Sequence, residues 1–297
     1  MKLMKRLLVR VNGVIRKRLF TQRSFIRLLF DLDVLASATG QLCNWGTIHQ
    51  RLIVHRYIRH ETKILEIGTG AHAIVAIFVK KHFPDVSILA TDILPERIYL
   101  AKKTVGKNQV SVACTVADMF GGIAGKFDLI LFYPPAIPSH ELEELGCKLE
   151  SYPGLGSRRG WSSDGGSDGL DVIRAFLDGV RGHLEAQGLA MVSVNPIQCD
   201  VARFKKLCQN AGLLIKRIHR LPVIMNTYVL YSQAVLGHES QPDCARPDNW
   251  YFRSPKAFLG PAENVNPFWR SYFFQEYFLR SGRGFPPSSC HIFLSCL

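Results

Sequence analysis

From Lys63 onward, short runs rich in β-branched and aromatic residues alternate with longer stretches whose apolar residues recur at helical spacing. A chain patterned this way is confined to a sheet of mainly parallel strands joined by crossover helices, because each helix must bury its apolar stripe on the sheet it leaves and re-enters. The pattern predicts strands over residues 63–67, 86–91, 111–116, 127–132, 189–194, 213–221 and 227–233, with helices over 71–83, 95–105, 168–183 and 200–211. The second helix opens on Pro95, whose missing amide costs nothing in a first turn. Only Pro222 to Asn226 separate the last two strands, so they read as a hairpin that sets the final strand antiparallel at or near the sheet edge. The expected fold class is therefore α/β, a Rossmann-like seven-stranded mainly parallel sheet with a C-terminal antiparallel hairpin.

Around this core the composition shifts twice. Residues 1–44 read as a basic helical extension, residues 45–236 as the α/β domain, and residues 237–297 as an aromatic and Pro-rich extension in which residues 267–280 predict a docked aromatic helix. Residues 1–30 hold nine Lys or Arg and no acid, which is most of the excess behind a net charge of +13. Those charges interleave with apolar residues such as Leu7, Val11, Ile15, Phe25 and Leu29. Such a segment is either a contact for RNA or an anionic membrane surface, or a lid whose apolar stripe packs on the domain.

With 47% hydrophobic residues the chain has enough apolar material for a core. No apolar stretch approaches the ~20 residues of a membrane-spanning helix, and no secretory pattern of leading charges and unbroken apolar core is present. The eight cysteines are scattered without a C-x-x-C pair or a histidine at metal spacing. They predict free thiols in a reducing cytoplasm, and neither a disulfide framework nor a metal site.

Two regions carry chemistry. The run Ile64 to Ala71 is a buried strand ending in the turn Gly68-Thr69-Gly70, where side chains would block a ligand's approach to the backbone. Glu66 stands just before the glycines, Asp92 ends the second strand and is followed by Ile93, and Asp118 and Met119 follow the third. Acids at consecutive strand ends converge on one crevice at the carboxyl edge of such a sheet, the second at the distance of a ribose-binding acid. The other region couples Asp128-Leu-Ile-Leu-Phe-Tyr133-Pro134-Pro135-Ala136, after the fourth strand, to a long irregular loop over 139–167 and to Gly165-Gly-Ser-Asp-Gly-Leu-Asp171. Loops that long inside a compact domain are usually functional.

At these residues the chain resembles the class I S-adenosylmethionine-dependent methyltransferases, and over roughly residues 45–233 their HemK-like, amino-methylating branch. The resemblance implies that Glu66, Gly68, Thr69, Gly70, Asp92, Ile93, Asp118 and Met119 hold S-adenosyl-L-methionine: Glu66 near the methionine moiety, Asp92 on the ribose, and Asp118 with Met119 at the adenine. It implies that Tyr133, Pro134 and Pro135 contact the methyl acceptor. The family's signature [Asn/Asp/Ser]-Pro-Pro-[aromatic] is departed from at both ends, with Tyr133 for the polar residue and Ala136 for the aromatic one. Trp161 and Tyr152 of the long loop are candidate replacements for that ring.

The reading that follows is N-methylation of a protein glutamine or a nucleic-acid base. The alternatives are a methyltransferase of a small metabolite and a cofactor-binding module that has lost transfer with the family's Asn. A nicotinamide oxidoreductase shares the glycine turn but needs a catalytic His, Tyr-Lys or Cys arrangement that the sequence does not offer.

Overall fold

The strands are β1 (Lys63–Ile67), β2 (Ser87–Asp92), β3 (Ala113–Val116), β4 (Phe127–Phe132), β5 (Leu184–Val194), β6 (Leu213–Pro222) and β7 (Phe273–Ser281). They form one sheet in the order β3-β2-β1-β4-β5-β7-β6 in a computed structural model that describes residues 22–35, 45–136, 138–140, 164–194, 200–222 and 273–281. β1 to β5 pair in parallel, and β7 runs antiparallel to both β5 and β6. Among the described residues the helices are α1 (Arg23–Phe30), α2 (Trp45–Val54), α3 (Ile74–His82), α4 (Pro95–Lys107), α5 (Asp171–His183) and α6 (Val201–Asn210), with a 3-10 turn at His55–Tyr57.

The central strands are buried on both faces, as parallel strands with helices above and below must be. Alternation along them divides the core in two. Ile64, Leu129 and Leu131 face a cluster with Ile26, Phe30, Ile77 and Phe78, while Leu65, Ile67, Ile130 and Phe132 face one with Ile173, Phe176 and Phe204. α3 is buried along Ile74 to Val79, which fits its place directly after β1 in the middle of the sheet. On α6 the side chain of Asp200 accepts from the amides of Ala202 and Arg203, an N-cap that closes two of the four free donors of a helix start.

α1 belongs to the packed body. Ile26 and Phe30 are fully buried, and the Arg51 guanidinium lies 5.8 Å from the Phe30 ring centroid and 5.0 Å from that of Phe78. The Asn108 side chain, at the end of α4, accepts from the Asp33 amide at 2.8 Å and donates to the Asp33 carbonyl at 2.6 Å, so it ties down the main chain that follows α1. Among the described residues no helix is long and apolar enough to cross a membrane.

The structure departs from the sequence reading chiefly at the end of the sheet. Its seventh strand is Phe273–Ser281, inside the segment expected to be a C-terminal extension with an aromatic helix; the strand expected over 227–233 lies outside the described residues. β7 is inserted between β5 and β6, so β6 is outermost among the described strands, and its antiparallel partner there comes from residues 273–281 and not from the run over 227–233 that was expected to pair with it in a hairpin. Aromatic residues are as much at home in a strand as in a helix, and a slot between two strands decides for the former. Elsewhere the differences are local. α3 begins at Ile74 and not at residue 71, α5 at Asp171 and not at residue 168, β3 starts two residues later than expected, and β5 starts five earlier.

Candidate active site

The carboxyl ends of β3, β2, β1 and β4 lie side by side, and every site residue predicted from the sequence is at one of them. Register fixes their heights: Ile67 pairs with Thr91 and with Phe132, and Asp92 with Val116. The residues one step further, Gly68 and Tyr133, therefore leave adjacent strands at the same level. Two main-chain bonds past the ladders hold the edge together, from the Thr69 amide to the Thr91 carbonyl at 2.8 Å and from the Ala117 amide to the Asp92 carbonyl at 3.1 Å.

Gly68 and Gly70 adopt φ of +72° and +70°, a conformation that favours glycine, and beyond the adjoining residues nothing among the described residues lies within 4 Å of where a Cβ would stand on either. Thr69 between them is half-buried and donates its hydroxyl to Glu66 Oε2 at 2.9 Å. The same oxygen accepts the Ala76 amide at 3.1 Å, in the first turn of α3. Burial pushes the Glu66 carboxyl up to about 7 against those two hydrogen bonds, and the charge of Asp92 adds to the rise. Asp92 is itself buried: Oδ2 accepts the Gly70 amide at 3.0 Å, Oδ1 accepts the Leu94 amide at 3.1 Å, and Arg97 stands 3.7 Å from Oδ2. Its carboxylate thus braces the glycine turn from behind, with lone pairs remaining on both oxygens.

Ile93 is half-buried beside it, and Asp118 is exposed at the end of β3. Met119 takes a left-handed φ of 50°, and the turn closes through the Gly121 amide on the Asp118 carbonyl at 2.8 Å. What fixes this turn is Phe120, whose ring lies 5.6 Å from that of Phe176 and stacks on His183 at 4.5 Å. A side chain at Gly179 would collide with the Phe120 ring, so that glycine is a packing requirement.

After β4, Tyr133 and Pro135 are half-buried and Pro134 is buried. Ala136 is 5% exposed and lies under Gly165, where it presents no face for stacking a planar group. Trp161 and Tyr152 lie outside the described residues.

Two residues that sequence reasoning passed over belong to this edge. His72 is 4% exposed and has no hydrogen-bond partner on either ring nitrogen among the described residues; burial holds its pKa below the usual histidine range. Asp164 is 7% exposed and accepts from both Ser139 and Gly166. An acid directly before two glycines was the one signal available for it.

Residues 49–145 match the family model described as the methyltransferase small domain. A protein of Methanocaldococcus jannaschii named as a protein N5-glutamine methyltransferase is 31% identical over 144 residues, which are 48% of this chain and 67% of that one. A release factor glutamine methyltransferase of Deinococcus radiodurans is 27% identical over 134 residues, 45% of this chain and 46% of that enzyme, so the match spans less than half of the latter's length. Among solved structures, a methyltransferase from Pyrococcus furiosus is similar at a TM-score of 0.50 and 16% identity, covering 92% of this chain and 98% of that chain, a likeness of fold alone.

Proposed function

Because the chain belongs to the class I S-adenosylmethionine-dependent methyltransferases, in their HemK-like branch, we propose that it transfers the methyl group of S-adenosylmethionine to the side-chain nitrogen of a protein glutamine. The observation that carries this reading is the register of Ile67 with Phe132, which puts the glycine turn and Tyr133-Pro134-Pro135 next to each other on neighbouring strands. Glutamine as acceptor is favoured by the activities for which the two relatives are named.

The residues present fit the cofactor. The turn at Gly68 and Gly70 lets a ligand lie against the backbone, and the unpartnered nitrogens of His72 mark polar capacity in the same loop. Glu66 and Thr69 would meet the methionine end, Asp92 and Ile93 the ribose, and Asp118 and Met119 the adenine. When bound, S-adenosylmethionine supplies an electrophilic methyl group on a sulfonium. The chain's own part is to hold the acceptor nitrogen in line with it and keep water away. In this reading Tyr133 makes one polar contact to the amide, the carbonyl of a proline bond makes the other, and Pro134 and Pro135 form the wall.

Transfer of label from methyl-tritiated S-adenosylmethionine to a glutamine-containing peptide tests the proposal, with RNA as the competing acceptor. Label in the RNA alone, or binding of NAD as tight as that of S-adenosylhomocysteine, would overturn it. For residues 1–30, the burial of Ile26 and Phe30 favours the packed lid over an anionic partner. Their deletion is then expected to lower the melting temperature and leave any polyanion binding and its salt dependence unchanged; loss of a steeply salt-dependent binding would mean phosphate contacts.

Glu66 adds a dependence on pH. A carboxyl raised from 4.5 to about 7 is protonated in much of the folded protein at neutral pH. In the ligand-free protein the unfolded state loses this proton first, so Glu66 makes stability fall as pH rises from about 4.5 to about 7. A cationic ligand group beside it favours the ionised form, so cofactor binding should release a proton near neutral pH. Affinity is expected to rise from pH 6 to 8, with heats of binding that differ between buffers of different ionisation enthalpy; identical heats would remove Glu66 from the site.

A further inference from the structure

We propose that Asp164 and Gly165 form a clasp that positions the acceptor wall, an inference that rests on the function proposed above. Residues 134, 135 and 138 are prolines. Proline stiffens a chain but donates no amide hydrogen, so this stretch leaves β4 with few donors to anchor its own main chain. The anchor comes from 25 residues away. Asp164 Oδ1 accepts the Ser139 hydroxyl at 2.7 Å and the Gly166 amide at 2.9 Å, and the Ser139 amide donates to the Gly166 carbonyl at 2.8 Å. Three bonds thus link Ser139, Asp164 and Gly166.

Between them Gly165 presses on the back of Ala136. A Cβ there would stand 2.6 Å from Ala136 Cα, 2.8 Å from its carbonyl carbon and 2.8 Å from Gly169 Cα, all main-chain atoms that cannot swing aside. The Gly165 carbonyl in turn accepts the Asp171 amide at 2.9 Å, at the start of α5. Asp168 anchors the same turn through Arg174 and through Arg203 of α6, at 3.0 and 2.7 Å. Burial alone would raise the Asp168 carboxyl, but its hydrogen bonds from Arg174 and Leu170 and the two arginine charges hold it below the usual range. The wall at Tyr133 to Ala136 is in this way fixed to two helices on the far side of the loop. Asp164 and Gly165 are positioning residues, since neither stands among the residues proposed to touch cofactor or acceptor.

In-line transfer is sensitive to placement, and a shift of about 1 Å costs on the order of 100-fold. Asp164→Ala is expected to lower kcat for the glutamine peptide about 10- to 100-fold, with the dissociation constant of S-adenosylhomocysteine changed by less than about twofold. Asp164→Asn keeps an acceptor oxygen and should recover most of the rate. Adding Ser139→Ala to Asp164→Ala should cost little more, because both changes break one network. Equal loss in the Ala and Asn variants, or cofactor affinity falling in step with kcat, would reduce Asp164 to a folding residue. Hydrogen exchange separates this idea from the function on which it rests. The Ser139 and Gly166 amides should exchange faster in Asp164→Ala while those of β1 and β2 do not. If the wild-type protein methylates no glutamine peptide, the proposed acceptor is wrong and the exchange result still decides the clasp: unchanged exchange at Ser139 overturns it.

Discussion

Asp92→Ala is expected to weaken binding of S-adenosylhomocysteine by about 1.5 to 3 kcal/mol, roughly 10- to 150-fold, as loss of a charged hydrogen-bonding partner should. Two effects act in the same direction. In the proposed site the carboxylate would offer its remaining lone pairs to the ribose hydroxyls, and it holds the Gly70 and Leu94 amides that shape the turn. Asp92→Asn separates them, because one amide oxygen can brace the turn while the charge is lost. Calorimetry on the three proteins, with melting temperatures measured alongside, provides the check. A variant that melts earlier yet binds with unchanged affinity would leave Asp92 as a brace and move the ribose elsewhere.

Tyr133→Phe carries the second large effect, a fall in turnover of about one to two orders of magnitude with cofactor affinity preserved, because the lost bond acts on the acceptor and not on the sulfonium. The family uses an Asn, Asp or Ser side chain here, whose polar atoms sit close to the main chain; the phenolic oxygen reaches further and can make only one donated bond. Tyr133→Asn restores the family's group on a wall whose prolines are intact. It should keep or raise transfer to a glutamine amide if this side chain alone has drifted. If neither variant alters transfer, Tyr133 is wall and nothing more, and the acceptor is not an amide.

The sequence was most legible where one strand's local pattern determines its place. β1 and β4 were predicted with the bounds observed, and β2 within one residue, because short apolar-rich runs bounded by turn residues suit strands buried on both faces. The gathering of Glu66, Gly68, Asp92, Asp118 and Tyr133 at one edge followed from the rule that ligands meet such sheets at their carboxyl ends. What escaped was set by distant partners. Nothing near residue 273 announces a strand, since its two neighbours in the sheet lie far back along the chain. Asp164 is equally opaque alone, because its meaning comes from Ser139. The burial of His72 is likewise invisible in its local sequence, and α5 begins three residues later than expected, with Asp168 outside it as an anchor for Arg174 and Arg203.

The place of β7 has a consequence for the order in which the molecule is made. On the ribosome β5 and β6 are complete while the strand that joins them has yet to be synthesised, and among the described strands β6 reaches the rest of the sheet only through β7, which ends at residue 281. The nascent chain therefore carries two open strand edges, the kind of surface that pairs with whatever strand is offered first. The three strand ends proposed to bind the cofactor, those of β1, β2 and β3, are finished by residue 119 and do not wait for that event. Synthesis thus divides the described sheet into an early half that carries the proposed ligand site and a late half that is keyed shut by β7.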